Sequence, residues 1–429
     1  MEVSVRSHME FLASDALAGR GSGTRDEWIA ATYIAAQMRR FGLEPLGGDG
    51  GYVQTIAIER PEAAAPPVLS FPGGRFSHGE QMLVSSLRSA RSSGPLHKIV
   101  ARTQDVPAGS VVLMPIDASA ASPTPVASAV IQLFPETPQI RSRWAAAGGR
   151  LPTLSAQLAG VPPAFLRPTI IVLDKSAYDR IASLPDGTVM TFSAELKPPQ
   201  PAHTWNAVGR LEGSDPKLRE QVILLSAHLD HVGTRDTARA TADVIYNGAD
   251  DDASGTVAVL ELAAALSARS APKRTIVFAL FGSEESGGLG SRYFAERPPA
   301  PLTTIVANLQ FEMIGRPDPA VSPRTLWLTG YERSNLGAAL AKHGARLVRD
   351  PHPEQNFFMR SDNYQFARRG IVAHTVSSYG LHSDYHQPSD EVRTIDFAHM
   401  TRAIASMIEP IRWLANSSFT PEWLPGMKP

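Results

Sequence analysis

Three apolar runs in the second half of the chain, QVILLSA (221–227), TIVFALF (Thr275–Phe281) and 304–311 with its IVANLQF, each lead into residues suited to chemistry. They are His228, the pair Glu284 and Glu285, and Glu312. Runs this short and this continuously apolar read as strands buried on both faces, which calls for a mostly parallel sheet covered by helices. Helical patterns fall between and after them, at 254–268, at Leu289–Glu296 and at 395–416. The last carries a stripe through Met400, Ile404, Met407, Ile408 and Ile411. Stretches 325–329 and 371–376 are further strand candidates. The predicted fold class is α/β, a mostly parallel mixed sheet flanked by helices. In such sheets ligands bind beyond the carboxyl ends of the strands, where these charged residues stand.

The N-terminal stretch 27–41 (EWIAATYIAAQMRRF) has apolar residues at helical spacing and stops at Gly42. From about 61 to 201 the texture changes. Proline, serine and glycine become dense, and short β-like runs such as 110–114 and Thr169–Leu173 stand between turns. The expected organisation is a discontinuous α/β domain, 1–66 with 197–429, interrupted by a β-rich insert at 67–196.

Composition narrows the chemistry. With 43% hydrophobic and 19% charged residues and a formal net charge of −1, the chain is an ordinary globular sequence with no field favouring nucleic acid or an anionic membrane. No apolar run is long enough to span a bilayer. Cysteine is absent, which removes disulfides, a thiol nucleophile and thiolate metal sites, and leaves His, Asp and Glu as ligands. The opening MEVSVRSHMEFLASD lacks a basic-then-apolar leader, so either the protein is cytosolic or a signal peptide has been removed. Oligomeric state leaves no mark in the sequence.

Within NGADDDASG (247–255), Asp250, Asp251 and Asp252 are adjacent and repel one another. A helix N-terminus would stabilise one or two of them, and a bound cation the rest. Asp251, at the centre, is the best candidate to bridge two cations, with Asp252 or Ser254 as helix cap. His228 and Asp230 lie two apart at a strand end, where alternate side chains point the same way, so Asp230 is placed to fix the His228 tautomer. His231, next door, is expected to face elsewhere. Glu284 and Glu285 share a glycine-flanked turn in which one can ligate while the other approaches the attacking water. Glu312 needs a partner, either a metal or Arg316. His386, in HSDYHQPSDE, completes a set that suits paired zinc ions with oxygen and nitrogen ligands.

The ordered motifs HLDHVG, NGADDDASG, FGSEESGGLGSRYF, NLQFEMIGR, SDNYQFARRGI and GLHSDYHQPSDEV resemble the M28 zinc peptidases, which include bacterial aminopeptidases using two zinc ions. The resemblance implies that His228 and Glu312 bind one Zn2+ and Glu285 and His386 the other, with Asp251 between them. It also implies Glu284 as general base, Asp230 as buttress of His228, and Tyr385 as a hydrogen-bond donor to the tetrahedral intermediate. At Glu312 the chain departs from the family's commonest residue, aspartate. The middle region is similar to the protease-associated insert of many members, and the resemblance implies a periplasmic or secreted location.

The expected function is a co-catalytic zinc aminopeptidase acting on short peptides. Alternatives are a carboxypeptidase or amidase on a related scaffold, a single-zinc glutaminyl cyclase, or a non-catalytic binding protein that keeps the fold. For substrate side chains the one sequence cue is 356–359 (NFFM), which would line an apolar pocket or belong to the core.

Overall fold

The computed structural model describes residues 1–99, 106–115, 129–142, 144–154, 156–161, 168–198, 200–235 and 243–429. The chain forms two compact units, Met1–Ala57 with His203–Pro429, and Ile58–Ala202.

In the first unit the continuously apolar runs become β3 (Val222–His228), β4 (Thr275–Phe281) and β5 (Ile305–Phe311), and nearly every residue in them is buried. Around them stand β1 (Val53–Glu59), β2 (Ala202–Leu211), β6 (Leu326–Leu328), β7 (Leu347–Arg349) and β8 (Ala373–Ser377). The strands lie in the order β7-β6-β8-β5-β3-β4-β2-β1. The centre of the sheet is parallel: β3 pairs with both β4 and β5, and β5 with β8. Antiparallel neighbours flank that centre, β2 on β4 and β6 on β8. The mixed α/β fold expected from the sequence is therefore the observed one.

The helices are α1 (Glu2–Leu12), α2 (Arg25–Arg40), α3 (Gly255–Ser267), α4 (Leu289–Glu296), α5 (Leu336–Lys342), α6 (Asn363–Ala367) and α7 (Phe397–Asn416). Helix α3 is apolar around most of its circumference because α1, α2, α7 and the sheet all pack against it. On α7 the stripe Met400, Ile404, Met407 and Ile411 is buried, with Ile408 at its edge. Two separate apolar clusters pack against the sheet, one containing Leu225, Val257, Leu260 and Met407, the other Val208, Leu224, Val277 and Phe366.

Register decides where the chemistry falls. His228 pairs with Phe281 and Ser226 with Gln310, so the three strands finish level. His228, the turn after Phe281 and Glu312 consequently share one sheet edge, as strand-end placement requires.

The second unit carries an eight-stranded sheet in the order Gly74–Ser77, Val68–Phe71, Val189–Ser193, Arg91–Lys98, Ser110–Leu113, Ala129–Pro135, Thr169–Leu173, Met82–Ser86. It has its own core, including Leu96, Val111, Leu133, Ile171 and Phe192. No helix among the described residues is long and apolar enough to cross a membrane.

Candidate metal centre

The aspartate triplet occupies the turn between Gly248 and α3, and its three carboxylates find three different solutions to their repulsion. Asp252 accepts the N–H groups of Gly255, Met313 and His228 at 3.0, 3.1 and 3.2 Å, so it ties the first residue of α3, after the N-cap Ser254, to two strand ends. Asp250 accepts the Gly315 N–H at 2.7 Å and faces His382 at 3.1 Å and the Arg316 guanidinium at 3.8 Å. Asp390 receives the N–H groups of Asp250 and Asp251 at 3.1 Å and pairs with Arg316 at 2.9 Å. Asp251 turns towards three imidazoles, those of His228, His386 and His231.

One oxygen of Asp251 lies 3.2 Å from His228 Nε2, and the other 3.1 Å from His386 Nε2 and 3.8 Å from His231 Nδ1. Glu285 Oε1 is 2.9 Å from His231 Nδ1 and 3.0 Å from His386 Nε2. The four donors of His231, Asp251, Glu285 and His386 lie within 4.8 Å of one another. Burial opposes charge on His228, yet Asp252, Asp230 and Asp251 hold its pKa well above the usual value. Burial likewise works against ionised Asp251, but His228, His386 and His231 keep its carboxyl well below the usual range. On Glu285, burial and Asp251 push upward while the close imidazoles of His231 and His386 outweigh them, giving about 2. His386 is raised to about 10 by Asp251 and Glu285 despite its burial. A divalent cation would supply the positive charge that these carboxylates call for.

The residues fit such a cation. His231 Nδ1, Glu285 Oε1 and His386 Nε2 are buried and make no hydrogen bond, although they approach to within about 3 Å. Convergence without hydrogen-bond geometry is what ligands around a metal display, and two imidazoles with two carboxylates suit zinc.

Glu312 stands apart from this cluster. It follows β5, receives a short hydrogen bond from Ser361 Oγ, and is pushed up to about 7 by burial, which the nearby His228 partly offsets. Two residues beyond the Ser226–Gln310 pair, it stands level with His228 at the sheet edge. Glu284 is held well above the carboxylate range by burial, with Asp362, Glu312 and Glu285 adding to the effect against His228. Tyr385 stacks on His386 with ring centroids 4.0 Å apart, and burial beside the acids raises its phenol.

Asp230 serves mainly the glutamate turn. Its carboxylate accepts the Glu284 N–H at 2.9 Å, the Glu285 N–H at 3.4 Å and the Ser22 hydroxyl at 2.5 Å. His228 Nδ1 lies nearer to the Asp230 carbonyl, 3.2 Å, than to its carboxylate, 3.8 Å. The expectation that His231 faces elsewhere is not met. Its N–H bonds to the Arg20 carbonyl and its own carbonyl accepts the Ser22 N–H, and this pairing turns the ring back into the site. Strand alternation has ended by residue 231, so the period-2 reading does not extend to it.

Support from the beginning of the chain has no motif to announce it. Buried Arg20 donates to the carbonyls of Leu12, Leu229, Asn247 and Gly248, clamping the loop after β3 to the triplet turn. Arg20, Ser283, Met313 and His386 all have positive φ, 47°, 53°, 52° and 54°, so strained non-glycine backbone clusters around this edge. In the 356–359 stretch, Phe358 is core, Phe357 stacks on Trp327 at 5.4 Å and Met359 is exposed, which gives no continuous pocket wall.

Residues 206–410 match the model of peptidase family M28. Leupeptin-inactivating enzyme 1 of Streptomyces exfoliatus is 32% identical over 147 residues, 34% of this chain and 30% of that protein. An aminopeptidase of Pseudomonas aeruginosa is 33% identical over 116 residues, 27% of this chain and 19% of that protein. The chain thus matches less than a third of the length of these curated relatives. Among solved structures, the aminopeptidase from Aneurinibacillus sp. strain AM-1 superposes with a TM-score of 0.57 at 17% identity, covering 100% of this chain and 96% of that one. A zinc aminopeptidase from Bacillus subtilis gives 0.57 at 17% identity, covering 97% and 96%. At that identity the likeness is one of fold. Residues 206–410, a little under half of the chain, are thus similar to peptidase family M28.

Proposed function

We propose that the chain is a zinc-dependent exopeptidase that removes N-terminal residues from short peptides, with two zinc ions along the line His228, Asp251, His386. The observation that carries this reading is the placement of Glu284. It adjoins Glu285, one of four donors that converge within 4.8 Å, in a turn whose Glu284 and Glu285 N–H groups Asp230 accepts. Bound zinc would supply Lewis acidity, polarising the scissile carbonyl and acidifying water.

The protein groups divide the remaining work. His228 and Glu312 would hold one zinc, Glu285 and His386 the other, and Asp251, with one oxygen towards each side, would join them. Glu284 would take the proton of the attacking water and deliver it to the leaving amine, a task for which a raised pKa is suited. Asp230, by accepting the Glu284 and Glu285 N–H groups, keeps both glutamates in one turn. The protonated phenol of Tyr385 would donate to the developing oxyanion. The Ile58–Ala202 unit would correspond to a protease-associated insert that favours short peptides over folded proteins.

The test is Glu284→Gln assayed on aminoacyl anilides, with zinc measured in parallel. Turnover should fall by about two to four orders of magnitude while zinc content stays at the wild-type level. An active Glu284→Gln enzyme removes Glu284 as the base. Peptides blocked at either end decide the polarity: cleavage of N-blocked and not C-blocked peptides would make the enzyme a carboxypeptidase.

A further inference from the structure

We infer that His231 is a fourth protein ligand of the zinc held by Glu285 and His386, so that this half of the centre is closed by two imidazoles and two carboxylates. The inference rests on the zinc reading above and adds a ligand to it. His231 is fully buried, and neither ring nitrogen makes a hydrogen bond. A buried imidazole left in that condition is costly unless another partner takes a lone pair.

The contacts indicate which nitrogen would be used. Nδ1 lies 2.9 Å from Glu285 Oε1 and 3.8 Å from Asp251 Oδ2, while His386 Nε2 lies 3.0 and 3.1 Å from the same two oxygens. For metal–ligand bonds of about 2.0–2.1 Å, the edges of a tetrahedron are about 3.3–3.4 Å. The four measured separations scatter around that edge. The rings of His231 and His386 meet at 78° with centroids 5.4 Å apart, so they approach one point from different directions.

The surroundings hold the ring in this pose. Gly248, at φ 58°, packs against Cγ and Cδ2 of His231, where a β-carbon would collide with the ring. The backbone of His231 is fixed through Arg20 and Ser22, and Arg20 also grips the carbonyl of Gly248.

Ligation by His231 makes the centre asymmetric. Four protein donors satisfy the tetrahedral preference of zinc on the Glu285 side, as in sites that retain their metal permanently. The His228, Asp251 and Glu312 side keeps three donors and the open position. The first equivalent of zinc should therefore bind on the His231 side, and the second more weakly.

Two measurements decide this. The first is zinc K-edge absorption on wild-type protein loaded with one equivalent of zinc, which should count two imidazoles per zinc. A count of one would mean that His231 is only an ion-pair partner of Glu285, and would overturn the inference. The second is chelator competition on His231→Gln, where the tighter zinc should weaken by about 100-fold or more. Unchanged affinity would overturn the inference while leaving the zinc reading intact. Wild-type protein that binds no zinc at all would sink both. The absorption measurement needs no substitution, so the question stands even if His231→Gln folds poorly.

Discussion

Glu27 Oε1 accepts the backbone N–H of Ser283 at 2.7 Å, linking the first turn of α2 to the residue immediately before Glu284. The same carboxylate takes the Thr204 hydroxyl at 2.8 Å and the Gly23 N–H at 2.8 Å. Ser283 has φ 53°, so the turn depends on outside hydrogen bonds to stay in that conformation. A Glu27→Gln substitution places an amide N–H group among these donors and should shift the turn. Displacements on the order of 1 Å near a reacting centre cost about 100-fold in rate. We expect kcat to fall about 10- to 100-fold with zinc content unchanged. An unaltered kcat would show that Asp230 alone holds the turn.

Glu312 governs the second zinc. Its carboxylate is partly buried and takes the Ser361 hydroxyl, and the residue follows β5 level with His228. Glu312→Ala should therefore reduce the zinc retained after gel filtration from two equivalents to one, measured by elemental analysis. Glu312→Asp should keep the charge but lose the Ser361 contact, and fall between wild type and alanine. Retention of two equivalents by Glu312→Ala would place the second zinc elsewhere.

The central strands were legible because burial on both faces leaves an uninterrupted apolar run, and each run led directly to its charged residue. The triplet could be divided by electrostatics, since one helix cap accounts for only one or two acids; Ser254 is the N-cap and Asp252 accepts the first helical N–H. Other features had no local signal. His231 lies past the end of strand alternation, and its direction is set by pairing with residues 20–22, some 210 positions earlier. Arg20 and Glu27 act through backbone groups, which carry no sequence identity and so leave no motif. Composition placed the insert at 67–196, whereas the compact unit is Ile58–Ala202. The flanking strands β1 and β2 are only partly buried, and their mixed patterns resemble the loop-rich texture beside them.

Arg316 is the cation that the outer acids share. Its guanidinium reaches Asp384 at 2.6 Å and Asp390 at 2.9 Å and donates to Thr394 at 2.6 Å. Asp390 in turn receives the N–H groups that shape the triplet turn. Arg316→Ala would leave buried Asp390 and Asp250 without their main countercharge. Breaking such a pair from one side costs about 3–5 kcal/mol when fully buried, and Arg316 is slightly exposed, so about 2–4 kcal/mol is expected in urea unfolding of chelator-treated protein. Arg316→Lys should recover only part of this, because a point charge cannot span both carboxylates as the planar fork does. A loss below about 1 kcal/mol for Arg316→Ala would mean that the acids are protonated rather than paired.

His374 should give the metal-free protein an acid limb. The ring is fully buried on β8, with Nδ1 2.8 Å from the Thr329 carbonyl and Nε2 2.7 Å from the Ser334 hydroxyl. Burial lowers its pKa to about 4 from the ordinary 6.5, with Arg333 adding to the effect against the Thr329 hydrogen bond. Between those values the unfolded chain binds a proton that the folded chain does not. Stability from this group is therefore fully present above pH 6.5 and is lost as pH falls through 4. At about 1.4 kcal/mol per pKa unit, a shift from 6.5 to about 4 makes the loss on the order of 3 kcal/mol. His8, similarly lowered to about 4, adds to the same limb. Thermal melts of chelator-treated protein from pH 7 to 4 should show a shallower decline in His374→Gln than in wild type. Equal slopes would assign the limb to other groups. Removing zinc first is essential, because protonation of the metal-binding histidines would otherwise mimic the effect.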